Sequence, residues 1–149
     1  MAWLLDTNIL SEIKRPRPDQ RVIQFLADTP EDDLFVSIVT MAEFRFGIEL
    51  VADTAKRAAL MSWLNETVRP LFPGRILGVD ENTLLRWRML AERGRKVGYT
   101  FSQPDLLIAA TAEQHGLTVV SRDMTPFEQA QVPVLNPWIP TQTSPNESV

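Results

Sequence analysis

The alternation of short apolar runs with longer segments of helical spacing is the feature that most restricts the fold of this chain. The apolar runs predict five strands, over residues 2–5, 34–39, 76–79, 117–120 and 132–135. The segments between them predict helices over residues 21–28, 42–50, 54–68 and 81–96, and between the caps Ser102 and Gly116. Strands that alternate with helices favour parallel pairing, and continuously apolar strands favour a sheet covered on both faces. The predicted fold is therefore α/β, a three-layer α/β/α sandwich with a central, mostly parallel five-stranded sheet.

Length and composition predict one domain and no membrane segment. The 149 residues fit a single domain over residues 1–138, followed by a disordered tail over residues 139–149 that ends in the polar stretch TQTSPNESV. No apolar run is long enough to cross a bilayer, and no secretory signal is visible. The absence of cysteine excludes thiolate metal sites and fits a cytoplasmic protein. A net charge of −4 argues against a large phosphate-binding surface, unless bound cations offset some of the acids.

Several carboxylates fall where the predicted fold would bind a ligand. In sheets of this kind, ligands lie beyond the carboxyl ends of the strands. The acids predicted at this edge follow the first and second strands, begin the helix after Ser102, and follow the fourth strand: Asp6, Glu43, Asp105 and Asp123. Each also has a structural interpretation. Asp6 could cap a helix, Thr40 and Glu43 form a capping-box pattern, Asp105 suits a first helical turn, and Asp123 suits a turn.

The four acids together point to a cation. Two like charges about 4 Å apart repel by roughly 4 kcal/mol at an effective dielectric near 20, so a cluster needs protons or metal ions to be stable. Asp6 follows a fully apolar strand, which predicts that its carboxylate is partly buried. An all-oxygen set of ligands suits Mg²⁺ or Mn²⁺ and suits zinc poorly.

Four segments carry a resemblance to a known family. They are LLDTNILSE at the start, VTMAEFRFG at 39–47, PDLLIAATA at 104–112 and LTVVSRD at 117–123. In order and spacing the chain resembles PIN-domain proteins, specifically the VapC-type toxin ribonucleases of VapBC toxin–antitoxin pairs. The resemblance implies a metal-dependent endoribonuclease, the toxin of a type II pair, that cleaves RNA phosphodiesters by metal-activated water. It assigns the catalytic and metal-binding roles to Asp6, Glu43, Asp105 and Asp123, with one or two Mg²⁺ or Mn²⁺ ions.

The resemblance also implies supporting residues and partners. Asn8 would orient a carboxylate, and Thr7 and Ser121 would assist by hydrogen bonds to water or phosphate. Pro126 stands where many relatives carry a further acid, which implies a weak or absent second ion. The implied partners are RNA, a second copy of the chain in a homodimer, and an antitoxin whose tail lies near the acidic site and presents an arginine to it. Apolar positions across residues 41–64 predict a protein interface.

Two other functions remain open from the sequence alone. An aspartyl-phosphate phosphohydrolase of haloacid-dehalogenase-like type would use Asp6 as its nucleophile, but Asn8 occupies the position where such enzymes need a second acid. A catalytically degenerate, partner-binding module is the other alternative. The basic run Arg93, Arg95 and Lys96 has two interpretations as well, a solvated helix end or a track for phosphates.

Overall fold

Five short parallel strands form one sheet in the order β3-β2-β1-β4-β5. The computed structural model describes residues 1–140, and residues 141–149, most of the tail predicted from the sequence, lie outside it. The strands are β1 Trp3–Leu5, β2 Leu34–Ser37, β3 Ile76–Leu77, β4 Thr118–Val120 and β5 Val134–Leu135. Every neighbouring pair is parallel, so the predicted sheet is confirmed, and its strands are shorter than the apolar runs that predicted them.

Helices cover both faces of the sheet, which confirms the three-layer sandwich. They are α1 Thr7–Lys14, α2 Gln20–Asp28, α3 Ile38–Glu49, α4 Thr54–Trp63, α5 Glu81–Lys96, α6 Gln103–His115 and α7 Thr125–Gln129. The helix predicted over residues 54–68 changes to a π-helical turn at Leu64–Val68. Among residues 1–140, no helix combines the length and the apolar character that crossing a bilayer would require.

Strand β1 divides the core because its successive side chains point to opposite faces of the sheet. Leu4 packs with Leu90 of α5 and Leu106 of α6 in one buried cluster. Leu5 packs on the other face with residues of α1 and α2, among them Ile9 and Val22. The carboxyl end of β1 therefore lies between two well-packed layers, which restricts the backbone at the residue that follows.

The start of α3 differs from the prediction. The run over residues 34–39 predicted a strand, but β2 ends at Ser37, whose hydroxyl accepts a hydrogen bond from the Val39 N–H at 3.0 Å. This cap begins α3 at Ile38, so the predicted capping box of Thr40 and Glu43 is wrong. Thr40 lies inside the helix, and Glu43 lies in its second turn rather than its first.

Candidate active site

The register of the two central strands places Asp6 beside Ser121. Leu5 of β1 pairs with Val120 of β4, and Asp6 and Ser121 are the next residue of each chain segment. The Asp6 N–H continues the pairing by donating to the Val120 carbonyl at 3.0 Å. The Ser121 hydroxyl then donates to the Asp6 carboxylate (Oδ2) at 2.7 Å. The site therefore begins at the carboxyl edge of the sheet, as the sequence predicted.

Ser121 is the centre of a hydrogen-bond network. Besides donating to Asp6, its hydroxyl accepts from the Asn8 amide and from the Asp123 N–H, each at 3.1 Å. A hydroxyl has one proton and two lone pairs, so these three bonds use its full capacity and fix the direction of its proton. Asn8 also accepts from the Arg122 N–H at 3.3 Å. Asn8 thus orients Asp6 through Ser121. The Ser121 hydroxyl was expected to bind water or phosphate, but in the structure its proton is donated to the Asp6 carboxylate.

Asp6 is both a helix cap and a buried carboxylate. Its Oδ1 accepts from the Thr7 N–H at 2.8 Å, which makes it the N-cap of α1. Thr7 therefore contacts Asp6 through its backbone. Asp6 is only 6% exposed, which confirms the burial predicted from the apolar strand before it. The cap explains how the carboxylate is held but does not remove the cost of burying its charge.

Burial is the main influence on the ionisation of Asp6. It raises the pKa of the carboxyl above the ordinary 3.8, while the hydrogen bonds from Ser121 and the Thr7 backbone act to lower it. The negative charges of Asp105 and Asp123 raise the pKa further. Those two acids are therefore within electrostatic range of Asp6, and the ionised site carries a repulsion that a cation would relieve.

The other predicted acids surround Asp6 at different depths. Asp105 is half-buried in the first turn of α6, where its N–H donates to the Ser102 cap at 3.3 Å. Asp123 is exposed just after β4, and Glu43 is exposed on α3, where it borders a groove together with Thr7. Among residues 1–140, no three Asp, Glu, His or Cys side chains stand close enough to form a ready-made metal site. Joint ligation by the four acids therefore remains a prediction.

The available groups fit a hard cation. Asp6, Asp105, Asp123 and Glu43 offer only carboxylate oxygens, the ligands that Mg²⁺ and Mn²⁺ prefer. The Thr40 hydroxyl is buried and has no hydrogen-bond partner within the described chain. It lies one turn before Glu43 on α3, a spacing that puts both side chains on one face of the helix.

Tyr99 is influenced by the predicted acids, although no sequence pattern indicated it. It is the only tyrosine of the chain and lies in the loop between α5 and α6. Burial raises the pKa of its hydroxyl, and the charges of Asp123 and Asp105 raise it further. Tyr99 therefore lies within electrostatic range of two of the predicted acids. Its position depends on how the loop folds over α5, which spacing along the chain does not reveal.

Glu12 is a buried acid that the sequence did not indicate as important, and its role is structural. It is buried in α1, and its Oε1 accepts from the Asp19 N–H at 2.9 Å, while Arg15 pairs with its other oxygen at 3.3 Å. These contacts hold the connection between α1 and α2. Glu12 thus differs from Asp6, which lies within electrostatic range of two other acids.

The interface predicted across residues 41–64 is smaller than expected. Ile48 is buried in the core, and the rings of Phe44 and Trp63 pack against each other with their centroids 5.5 Å apart. Phe46 and Leu50 remain 62% and 69% exposed. The apolar surface of this region is therefore concentrated at the end of α3.

Comparison with known proteins agrees with this geometry. Residues 3–132 match the PIN domain family. The chain is 40% identical to Toxin FitB of Neisseria gonorrhoeae, over 91% of this chain and 97% of that protein. It is 34% identical to VapC ribonuclease Y4jK of Sinorhizobium fredii, over 92% and 98%. The crystal structure of FitAcB from Neisseria gonorrhoeae superposes with a TM-score of 0.86 at 40% identity, over 91% of this chain and 98% of that one. The chain therefore belongs to the PIN-domain family and is of the VapC type.

Proposed function

We propose that this protein is an endoribonuclease that requires Mg²⁺ or Mn²⁺ and acts in the cytoplasm as the toxin of a type II toxin–antitoxin pair. The observation that carries the proposal is the Asp6 carboxylate, which the Ser121 hydroxyl holds at 2.7 Å and whose pKa is raised first by burial and then by the charges of Asp105 and Asp123. A divalent cation bound by carboxylate oxygens would offset the cost of burying that charge. Two relatives that match nearly the whole chain are named a toxin and a VapC ribonuclease.

In this proposal Asp6, Asp105, Glu43 and Asp123 hold the cation. When bound, a divalent cation offsets the charge of the phosphodiester and makes a water molecule more acidic. Ser121 and the Thr7 N–H each fix one oxygen of the Asp6 carboxylate, so that its orientation is set before RNA arrives. Asn8 fixes the Ser121 hydroxyl in turn. Such supporting contacts typically change metal affinity or activity by about 10- to 100-fold when they are lost.

Cleavage of RNA by point variants tests this function. Wild type is expected to cleave RNA internally when Mg²⁺ or Mn²⁺ is added and to stop when the metal is chelated. Asp6→Asn and Asp105→Asn should each lose about 100-fold or more of the rate. Glu113→Gln is the matched control, because Glu113 lies on the same helix as Asp105 but pairs with Arg86 and Arg93, at 3.0 Å each. Full activity of either site variant, or a loss in the control as large as in Asp105→Asn, would contradict the proposal.

No observation favours an aspartyl-phosphate mechanism. Such enzymes need a second acid two residues after the nucleophile, and that position holds Asn8. Asn8 is also committed, since its amide donates to Ser121 and its oxygen accepts from Arg122.

We also propose an antitoxin and a second copy of the chain as partners. A groove bordered by Thr7, Ser11, Glu43 and Phe44 includes one of the proposed metal ligands and would accept an extended tail. An arginine of that tail would meet carboxylates there, which is the simplest way to block them. Exposed Phe46 and Leu50 supply an apolar surface for association.

Pro126 is buried in the first turn of α7, so the number of ions is proposed to be one, with a second bound weakly at most.

A further inference from the structure

A recess of about 220 Å³ lies where α5 meets the start of α6, outside the set of acids described above. We call it the Tyr99 recess. Its lining combines two aromatic rings, a cation and polar side chains, contributed by Arg95, Tyr99, Thr100, Phe101 and Gln103. It lies at the surface, so a group carried on a longer chain can enter it.

The Tyr99 recess adjoins the proposed catalytic acids. Gln103 and Leu106, which both line it, bracket Asp105 in the first turn of α6. Burial raises the pKa of the Tyr99 hydroxyl and the charges of Asp123 and Asp105 raise it further, so Tyr99 lies within electrostatic range of both acids. The recess and Asp105 therefore lie at the same end of α6, so one bound RNA strand can reach both.

The walls of the recess are held by specific contacts. The Tyr99 N–H donates to the Gly94 carbonyl at 2.9 Å, and its ring meets Phe101 edge to face, with centroids 4.7 Å apart. The Trp87 indole N–H donates to the Gln103 side-chain oxygen at 2.9 Å, which turns the amide so that its nitrogen keeps two donors for a ligand. The ring and the amide are thus positioned in advance.

Arg95 is the adjustable part of the recess. It pairs with Glu92 one turn earlier on α5, and both side chains are largely exposed. Ion pairs in water are weak, so Arg95 can leave Glu92 for a stronger anion at little cost. A guanidinium matches the geometry of phosphate with two hydrogen bonds and also stacks on aromatic rings.

We propose that the Tyr99 recess binds the base of one RNA nucleotide next to the cleaved bond, stacked on Tyr99, with Arg95 contacting the adjoining phosphate. This inference rests on the proposed ribonuclease function and names a substrate-positioning residue for it. Single-stranded RNA is recognised by stacking unpaired bases on aromatic side chains and by hydrogen bonds to their edges. The amide of Gln103 would supply such an edge contact, so the recess also contributes to base preference.

Equilibrium binding of a short single-stranded oligoribonucleotide tests the stacking role. The measurements use the Asp105→Asn background, so that the RNA is not consumed. Tyr99→Ala is expected to weaken binding by about 5- to 150-fold, the usual value of one stacked base, whereas Tyr99→Phe keeps the ring and should change it less than about twofold. An abasic nucleotide placed at successive positions should abolish the difference between the Tyr99→Ala protein and its parent at one position only.

A matched pair of arginine variants tests the phosphate contact. Arg95→Ala should weaken binding about tenfold more than Arg93→Ala, because Arg93 lies on the same helix but pairs with Glu113 outside the recess. Equal losses in the two variants would overturn the assignment of Arg95, and unchanged binding by Tyr99→Ala would overturn the recess. The proposed function fails separately, if wild type with Mn²⁺ does not cleave RNA.

Discussion

A single serine hydroxyl organises the acidic site at the scale of residues. Ser121 joins Asp6, Asn8 and the Asp123 backbone with three hydrogen bonds, all between 2.7 and 3.1 Å. The shortest of these bonds joins Ser121 to Asp6, and these two residues are 115 positions apart in the chain. Because the β1–β4 pairing creates their contact, the sequence could mark both residues as candidates but could not show that one holds the other.

Neutralising Asp6 should alter the pH dependence of stability in the absence of metal. The folded-state pKa of Asp6 is raised above 3.8, so the folded protein binds this proton more tightly than the unfolded chain. Ionising the buried carboxyl lowers the free energy of unfolding. This loss is absent below about pH 3.8, grows as the pH rises toward the folded-state pKa, and is complete above it. We therefore expect the free energy of unfolding of Asp6→Asn, relative to wild type, to improve between pH 3.5 and pH 7, as measured by urea denaturation.

An opposite trend is expected at Asp19, which provides the control. The side chain and backbone of Arg21 donate hydrogen bonds to Asp19 and lower its pKa. Stability from this group is present above its ordinary pKa and is lost as the pH falls, so Asp19→Asn should become less favourable, relative to wild type, as the pH rises. If both variants changed in the same direction, the burial of Asp6 would not be the cause.

At the scale of elements, the sequence predicted positions better than ends. The apolar runs located all five strands, and the caps Ser102 and Gly116 located α6 to the residue. The β2–α3 boundary was wrong because an apolar, β-branched run is compatible with both a strand and a buried helix. The Ser37 cap determines where the strand ends and the helix begins, and a prediction from residue propensities does not include such a cap. The short helix α7 was missed for a similar reason, since five residues beginning beside a proline carry no periodicity.

Two substitutions near the start of α3 distinguish the helix cap that forms from the helix cap that the sequence predicted. Ser37→Ala removes the hydroxyl that accepts from the Val39 N–H and should lower the free energy of unfolding by about 0.5–2 kcal/mol. Thr40→Val keeps the shape of a hydroxyl that has no partner within the described chain, so it should be neutral or stabilising. Chemical denaturation without added metal measures both. A loss at Thr40 as large as the loss at Ser37 would favour the capping box instead.

Glycine substitutions in two helices should have opposite signs. A Cβ on Gly94 of α5 would lie 2.7 Å from the Phe101 ring and 2.8 Å from the Tyr99 carbonyl, so Gly94→Ala should destabilise by about 1–3 kcal/mol despite the better helix propensity of alanine. Gly47 of α3 has no atom within 4 Å of a built Cβ, so Gly47→Ala should stabilise by about 0.5–1 kcal/mol. Thermal or urea unfolding measures the change in stability of both variants. A stabilising Gly94→Ala would mean that the loop does not pack on α5 as described.

For the molecule as a whole, the sequence predicted the layers but not how the acids are arranged between them. Parallel order and two-sided burial follow from the apolar pattern, and they bring Asp6 and Asp123 to adjacent strand ends. Side-chain convergence does not follow from it. Among residues 1–140 the charges of Asp105 and Asp123 act on Asp6, but no three acids form a closed set of ligands. A cation is then expected to draw them together, which couples metal binding to the stability of the entire fold.

Metal binding should therefore raise the Tm of the whole protein. A ligand that binds only the folded state stabilises it by RT ln(1 + [L]/Kd), about 2.7 kcal/mol at a hundredfold excess over Kd. We expect the Tm of wild type to rise with Mn²⁺ concentration and to return to its starting value with a chelator, as followed by scanning calorimetry. Asp105→Asn removes a proposed ligand and should lose most of the shift, whereas Glu113→Gln makes the same charge change farther along α6 and should keep it. Equal shifts in the two variants would mean that Mn²⁺ acts on the general negative charge of the chain, and the acids around Asp6 would then need another explanation for their placement.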